Sequence, residues 1–221
     1  MTMVHRRRQP AAGLDLRPAR AGDAGELARL VLVSSDGLAG YIWSRRAAPG
    51  ETPEAVGARR YARRDTAFSH ENCLLAVRDG TVIGMVHAFP MPPRQPGEVE
   101  DDPVLRPYAE LEDAGSLYVA GLAVHAPHRG AGIGGALMDR LDARARAEGC
   151  PRLSLICFER TAGRSPSTAG AGSARSRAAP SSRIRACATA TEMPCCWRAR
   201  SDAPAGVREP PHDVRPVLTP W

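Results

Sequence analysis

The residues with the clearest chemistry form a glycine-rich loop in the second half of the chain. This glycine loop consists of Arg129, Gly130, Ala131, Gly132, Ile133, Gly134 and Gly135. Where such a loop opens a helix, the backbone N–H groups of the first helical turn are unpaired and can bind an anion. The glycines let the backbone approach the anion closely because no Cβ is in the way. Arg129 adds a charge that could reach a phosphate, and the loop is therefore predicted to bind a pyrophosphate.

The segments on either side of the loop predict how it is held. In the strand predicted over Ser116 to Val124, the almost continuous apolar run from Leu117 is typical of a strand buried on both faces, at the centre of a sheet. The apolar spacing after the loop predicts a helix that passes through Leu141 and stops at Gly149. Leu153 to Phe158 predicts a further strand. This order is a βαβ unit, so these two strands are expected to be parallel, with the loop at a helix N-terminus.

The first half of the chain predicts a strand, two helices and a hairpin. In order these are a strand at Leu14–Pro18, a helix capped by Asp23, a helix over about Pro53–Phe68, and strands Cys73–Val77 and Thr81–Val86 joined by the turn pair Asp79-Gly80. The segment from Pro90 to Asp113 is acidic and Pro-rich. A loop of this length in a compact domain is more often functional than not.

Two families of protein use a loop of this kind, and the residues match both in part. Gly130, Gly132 and Gly135 fit the G-x-G-x-x-G pattern of dinucleotide-binding folds, and Glu159 lies about where such a fold places its ribose-binding acid. That motif normally opens a long doubly wound sheet. Here two helices and a hairpin precede it, which counts against a dinucleotide-binding oxidoreductase.

The fuller pattern from Val124 to Gly134 resembles the GNAT superfamily of acetyl-CoA-dependent N-acetyltransferases. That family binds its cofactor with a V-x-P-x-x-R-G-x-G-x-G-like stretch, and here the proline comes one position later, at Pro127. The resemblance covers residues 14–160, which it defines as an acetyltransferase core of the α/β (α+β) class with a mixed central sheet flanked by helices. It is specific for the cofactor, acetyl-CoA, and not for the acceptor.

The resemblance also implies a role for the central strand. Leu122, Ala123 and Val124 would offer backbone groups to the pantetheine arm of acetyl-CoA, and the glycine loop would wrap the pyrophosphate. A bulge in the strand, for which Gly121 is a reasonable site, would splay the strand from its neighbour. A backbone N–H aimed there would stabilise the oxyanion that forms as the amine attacks.

An amine must lose its proton before it attacks, so a base is needed within reach, directly or through water. Glu110, Glu112 and Asp113 are the candidates by position, just before the central strand. A carboxylate in a loop is more often solvated than catalytic, and a water chain is the alternative. The side chains of Tyr41, Tyr61 and Tyr108 are candidates to line the acceptor pocket.

Composition excludes several other classes of protein. The net charge is +6. Residues 161–221 hold 9 of the 30 basic residues and only 4 of the 24 acidic ones, so residues 1–160 are near neutrality. The charge of residues 1–160 therefore gives no case for nucleic-acid binding. The N-terminus does not look like a secretory signal, and no apolar run approaches the roughly 20 residues of a membrane helix. No cysteine pair has C-x-x-C spacing, so no metal site is predicted. We expect a cytoplasmic protein without a membrane partner.

The tail, residues 161–221, departs from the family. It is rich in Ala, Ser, Arg, Pro and Gly, a composition typical of disorder. The family instead continues into a helix and two closing strands, with a tyrosine that protonates the departing thiolate. If each codon is read from the last base of the codon before it, Cys195-Cys196 and Cys196-Trp197 must each give Leu. The shifted frame also permits other sequence features of the family, in the order in which the family has them. One hypothesis is therefore a frameshift near residues 163–166, and the other is a genuine disordered extension.

The predicted function is N-acetyl transfer from acetyl-CoA to a primary amine of a small molecule or peptide. The alternatives are a CoA-binding remnant whose catalysis is impaired by the loss of the C-terminal strands and, ranked last, a dinucleotide-binding oxidoreductase. The acceptor amine and the oligomeric state are not encoded in a recognisable pattern.

Overall fold

A computed structural model describes residues 13–95, 97–159 and 183–187. The strands are β1 Asp15–Pro18, β2 Cys73–Arg78, β3 Thr81–Pro90, β4 Leu117–Val124, β5 Leu153–Glu159 and β6 Arg183–Cys187. The α-helices are α1 Ala24–Ser34, α2 Leu38–Ser44, α3 Pro53–Tyr61, α4 Arg106–Leu111 and α5 Ile133–Ala147.

The described strands form one mixed sheet in the order β1-β2-β3-β4-β5-β6. Neighbouring strands are antiparallel, except that β4 and β5 are parallel. The predicted α/β class with a mixed central sheet is confirmed, as is the βαβ unit of β4, α5 and β5. A single parallel pair is not the doubly wound sheet that a dinucleotide-binding fold requires.

Helices cover both faces of the sheet. On one face, Leu27 and Leu30 of α1 and Tyr61 at the end of α3 pack with Leu75 and Met85. On the other, the α5 side chains pack against a second group of strand residues. That second cluster includes Ile133, Leu137 and Leu141 together with Val86, Leu117 and Val119. The apolar stripe of α5 therefore fixes where the glycine loop before it lies on the sheet.

The hairpin between β2 and β3 is the best-predicted element. Asp79 and Gly80 both have positive φ, at 49° and 74°. A two-residue turn with positive φ at both positions matches the twist of the strands that it joins, and Asp-Gly is among the pairs that adopt it at least cost. The turn is confirmed.

The helix predicted over about Pro53–Phe68 is α3, and it is shorter than predicted because it ends at Tyr61. After Tyr61, side chains bind the backbone carbonyls that a helix would use: Ser69 Oγ donates to Arg63 O at 2.7 Å, and Asn72 Nδ2 donates to Ala67 O at 3.1 Å. Such side-chain to backbone hydrogen bonds compete with helix.

Two short helices, α2 and α4, were not predicted, and α4 lies inside the segment that was expected to be a loop. The predicted cap of α1 also differs in detail. Asp23 does precede the helix, but its carboxylate accepts hydrogen bonds from the Arg17 guanidinium and from the backbone N–H of Arg20 instead of from the helix.

The prediction of a disordered tail falls largely outside the described residues. The exception is β6, whose backbone pairs with β5 at the edge of the sheet. The sequence pattern gave no indication of this strand. Residues 161–182 and 188–221, with the frameshift hypothesis drawn on them, are outside the part of the chain that the structure describes.

We expect Gly57→Ala to destabilise the protein. A Cβ at Gly57 would lie 2.3 Å from Cζ3 of Trp43, which is only 4% exposed and has no room to withdraw. Overpacking of this kind costs about 1–3 kcal/mol, more than the gain of about 1 kcal/mol from replacing a helical glycine. Urea unfolding measures the difference.

Gly40→Ala is the matched control for Gly57→Ala. The nearest atom to a Cβ at Gly40 is Leu32 Cδ2 at 3.9 Å, an ordinary contact, so this variant is expected to be as stable as the parent or more so. Equal stability of the two variants would contradict the packing described for Trp43.

Candidate active site

The sheet opens along the second half of β4. The parallel pairing with β5 covers only Leu117–Val119, opposite Leu153–Leu155. On the β3 side, Gly121 pairs with His87 while Val119 pairs with Ala88, so Ala120 is an extra residue and forms a bulge. A bulge bends the strand and increases its twist. The predicted bulge beside Gly121 is confirmed.

The opened half of β4 has backbone that faces the gap. Leu122 is 39% exposed, and among the described residues no pairing joins Ala120–Val124 to β5. The prediction that β4 is buried on both faces therefore holds for Leu117–Val119 and is wrong for Leu122, while Ala123 beyond the bulge is still buried. A row of unpaired backbone groups on a strand can accept an extended ligand as an added strand.

The glycine loop lies at the end of this opening. Gly130 and Gly132 have φ of 77° and 80°, and Gly132 is the residue before the first turn of α5. These conformations favour glycine over other residues. Ile133, 1% exposed, fixes the start of the helix in the core. A Cβ at Gly134 would lie 3.9 Å from Leu122 Cδ2, so the first turn of α5 and the open end of β4 are adjacent.

Two side chains connect the region of the glycine loop to neighbouring parts of the fold. Arg129 Nε donates a hydrogen bond to Val124 O at 2.9 Å, so this side chain links the loop to the end of β4 as well as carrying a charge at its mouth. His125 Nε2 lies 2.7 Å from Glu26 Oε1. This contact connects the loop region to α1.

The three candidate bases have different environments. Glu112 follows α4 and is half-buried. Burial, together with the negative charges of Glu98 and Glu100, raises its pKa to about 7, against an opposing effect of Arg94. Glu110 is exposed. A carboxyl with a pKa near neutrality can take up a proton at physiological pH, which favours Glu112 as the base.

Asp113 is held in an ion pair with Arg152, with an Oδ2 to Nε distance of 2.5 Å. The hydrogen bond from Arg152 lowers the pKa of Asp113. Because Asp113 precedes β4 and Arg152 precedes β5, the pair joins the two strands where they begin. This carboxylate is a structural group and not a good proton acceptor.

The tyrosines predicted to line the acceptor pocket also have different environments. Tyr41 donates its hydroxyl hydrogen to Asp102 at 2.9 Å, at the edge of the acidic segment. Tyr61 is 0% exposed, and its hydroxyl is 3.0 Å from Nδ1 of the buried His87. His87 Nε2 donates to Ala67 O, so Nδ1 accepts from Tyr61. Tyr61 is a core residue, and its assignment to an acceptor pocket is wrong.

Sequence reasoning missed Tyr118, on the first half of β4. It is 6% exposed, and burial raises the pKa of its hydroxyl, with a further contribution from the charge of Glu112 and from Tyr108. The three side chains therefore influence one another electrostatically. Tyr118 was counted as part of an apolar run, and its ring does pack in an apolar cluster with Phe89 and Met91.

Two other functional features are not found among the described residues. Among them no group of three or more His, Cys, Asp and Glu side chains could hold a metal ion. None of the helices in that part of the chain is long and apolar enough to cross a membrane.

A mixed sheet opened beside a bulge, with a glycine-rich helix N-terminus at the end of the opening, is the arrangement of an acyltransferase. The model of the acetyltransferase (GNAT) family matches residues 38–163. The match covers more than half of the chain, and the chain belongs to this family, whose members use acetyl-CoA as the acyl donor. The predicted class of enzyme, an N-acetyltransferase, is confirmed. A comparison with curated proteins finds no match.

Several solved structures are similar to this chain. One, described as an acetyltransferase, is 22% identical, with 66% of this chain and 81% of that chain covered and a TM-score of 0.49. The ribosomal-protein-alanine N-acetyltransferase of Brucella melitensis biovar Abortus 2308 is 22% identical, with 74% and 99% covered and a TM-score of 0.42. The diaminobutyrate acetyltransferase EctA of Paenibacillus lautus is 17% identical, with 68% of each chain covered and a TM-score of 0.38.

Proposed function

We propose that this protein transfers an acetyl group from acetyl-CoA to a primary amine of a small molecule or peptide, by direct attack of the amine. The observation that carries the proposal is the opening between β4 and β5, which ends at the glycine loop. An extended arm and a pyrophosphate are the two parts of CoA that such a site would hold.

The residues assigned to donor binding are those at the two ends of this opening. The backbone of Leu122, Ala123 and Val124 would pair with the pantetheine arm, since this part of β4 has no described pairing with β5. The backbone N–H groups of the loop would bind the pyrophosphate, helped by the partial positive charge at the N-terminus of α5. Bound acetyl-CoA supplies the activated acetyl thioester.

Glu112 is the proposed base. At pH 7 and above its carboxylate accepts a proton from the ammonium form of the acceptor, directly or through water, and the free amine becomes the nucleophile. Burial raises the pKa of Glu112, so its proton affinity is closer to that of an amine than an exposed carboxylate would provide. Glu110, the other candidate, is exposed.

The surroundings of Glu112 favour a cationic acceptor. Glu98 and Glu100 act on Glu112 as negative charges, and Asp102 lies in the same segment, bound to Tyr41. A concentration of negative charge near the site attracts an ammonium group and raises its local concentration. The acidic segment from Pro90 to Asp113, which was predicted to be functional, therefore favours the binding of an amine substrate.

A CoA-binding remnant is the second candidate, because the family match ends at residue 163, where the unusual composition begins. We propose the boundary between the core, residues 14–160, and the tail, residues 161–221, on the same observation. Sequencing the coding DNA across codons 160–170 separates the hypotheses. A base gained or lost against close relatives supports the frameshift, and an unbroken frame supports a genuine extension.

Thiol release from acetyl-CoA, measured with a panel of primary amines, tests the proposed activity. We expect release that depends on the amine and an acetylated product in mass spectrometry. Binding of acetyl-CoA without amine-dependent release would favour the remnant. Stabilisation by NAD but not by acetyl-CoA would contradict both.

A further inference from the structure

A second feature of the helical layer lies apart from the proposed acetyl-transfer site. A cavity of about 300 Å³ is bordered by the ends of α2 and α3. This arginine cavity is lined by Arg46, Val56, Arg59, Arg60 and Arg63. None of these residues belongs to β4, the glycine loop or the acidic segment, so the cavity is not part of the donor site.

Arg60 gives the cavity its chemistry. Its guanidinium lies over the ring of Phe68, 5.6 Å from the ring centroid, which fixes the plane of the group. Its Nε is buried and has no hydrogen-bond partner among the described residues. A buried donor without a partner costs free energy, and native structures rarely leave one unless a ligand or water binds it.

The neighbouring charges increase this cost. Burial and then the positive charges of Arg63 and Arg46 lower the pKa of Arg60 to about 10. Arg59 is paired with Glu51. Arg63 uses its Nε to donate to Arg60 O at 3.2 Å. Arg60 is therefore partly buried among other cationic side chains.

The C-terminal end of α3 offers a simpler explanation for part of this pattern. Arg59 and Arg60 lie in the last turn, where the helix dipole stabilises cations. That effect accounts for basic residues on the helix but not for the buried Nε of Arg60, nor for the approach of Arg46 from the end of α2. An anion in the cavity would offset the positive charge that these side chains bring together there.

We propose that the arginine cavity binds the phosphate group of a small organic ligand. Guanidinium groups present planar pairs of donors that match phosphate oxygens. A phosphate dianion would accept hydrogen bonds from the guanidinium groups that line the cavity and would offset the positive charge around Arg60. The cavity volume suits a small molecule.

Inorganic phosphate is the probe for this site. The full chain is melted in phosphate and in chloride at equal ionic strength. At about ten times the dissociation constant we expect phosphate to raise Tm by about 3–6 °C over chloride. Arg60→Met keeps an apolar side chain of similar length and removes the guanidinium with all its donors, so the effect of phosphate is expected to disappear.

Two exposed positions make the test independent of the folding of Arg60→Met. Arg63→Gln is expected to weaken phosphate binding at least about tenfold. Arg64→Gln is the matched control, since Arg64 is 77% exposed, pairs with Glu71 and does not line the cavity. Its response to phosphate is expected to equal that of the parent. A response that is absent in the parent, or unchanged in Arg63→Gln, would overturn the proposal.

Discussion

Gly134→Val is expected to weaken acetyl-CoA binding about tenfold to a hundredfold without unfolding the protein. Gly134 is the second residue of α5, and a Cβ there would point toward Leu122, with 3.9 Å between that Cβ and Leu122 Cδ2. The added methyl groups would fill the space where the loop meets the open end of β4. Loss of one or two hydrogen bonds to a charged phosphate corresponds to this range. Isothermal titration calorimetry measures it.

Gly25→Val provides a matched control for Gly134→Val. Gly25 is the second residue of α1, and a Cβ at this position has no atom within 4 Å. Valine is a better helix former than glycine, so both variants are expected to melt at or above the parent Tm. Equal affinity for acetyl-CoA in Gly134→Val and Gly25→Val would show that the glycine loop does not bind the donor.

Glu112→Gln is expected to lower kcat about 10²–10⁴-fold, the usual contribution of a general base. In the parent, the rate is expected to rise with pH and level off above about 7, the pKa of Glu112, because the carboxylate must be unprotonated to accept a proton. The glutamine variant keeps the shape of the side chain but does not titrate. Its rate is therefore expected to lose that inflection, which a pH profile of kcat records.

The stability of the same variant provides a second readout. The folded protein raises the pKa of Glu112 above its unfolded value, so the parent loses stability as pH rises through about 7. Glu112→Gln is expected to lose less stability over this window and to melt above the parent at pH 8. Glu110→Gln, at an exposed neighbour, is the control and is expected to match the parent in both measurements. A normal pH profile in Glu112→Gln would exclude Glu112 as the base.

Local signals in the sequence predicted the elements that build the donor site. Asp79-Gly80 encodes its own turn, and the glycines of the loop encode positive φ at the start of α5. The apolar stripe of α5 and the run in β5 are long enough to predict both elements. Each of these features depends on residues close together in the chain.

The features that were missed depend on contacts between distant segments. The helix α2 has seven residues, and Ile42 and Trp43 bury their side chains against other elements, which no local pattern reveals. Tyr61 looked like a pocket residue because the sequence does not show that His87 is its partner. The difference between Glu110 and Glu112 comes from burial, which two carboxylates in one loop cannot show by their spacing.

The opening between β4 and β5 was expected from the family resemblance, and its extent is set by tertiary structure. The bulge at Ala120 and the short register with Leu153–Leu155 decide which part of β4 is unpaired. The arginine cavity has the same kind of origin, because Arg46 follows α2 and Arg60 lies on α3, and the packing of α2 on α3 brings them together.

Hydrogen exchange of the full chain with and without acetyl-CoA tests the central claim most directly. If the donor adds to the open half of β4 as a strand, exchange is expected to slow in peptides that contain Leu122–Val124 and in the glycine loop. The β2–β3 hairpin, which is already paired, is expected to be unchanged. Slower exchange confined to other segments, or no change at saturating acetyl-CoA, would contradict the proposed donor site.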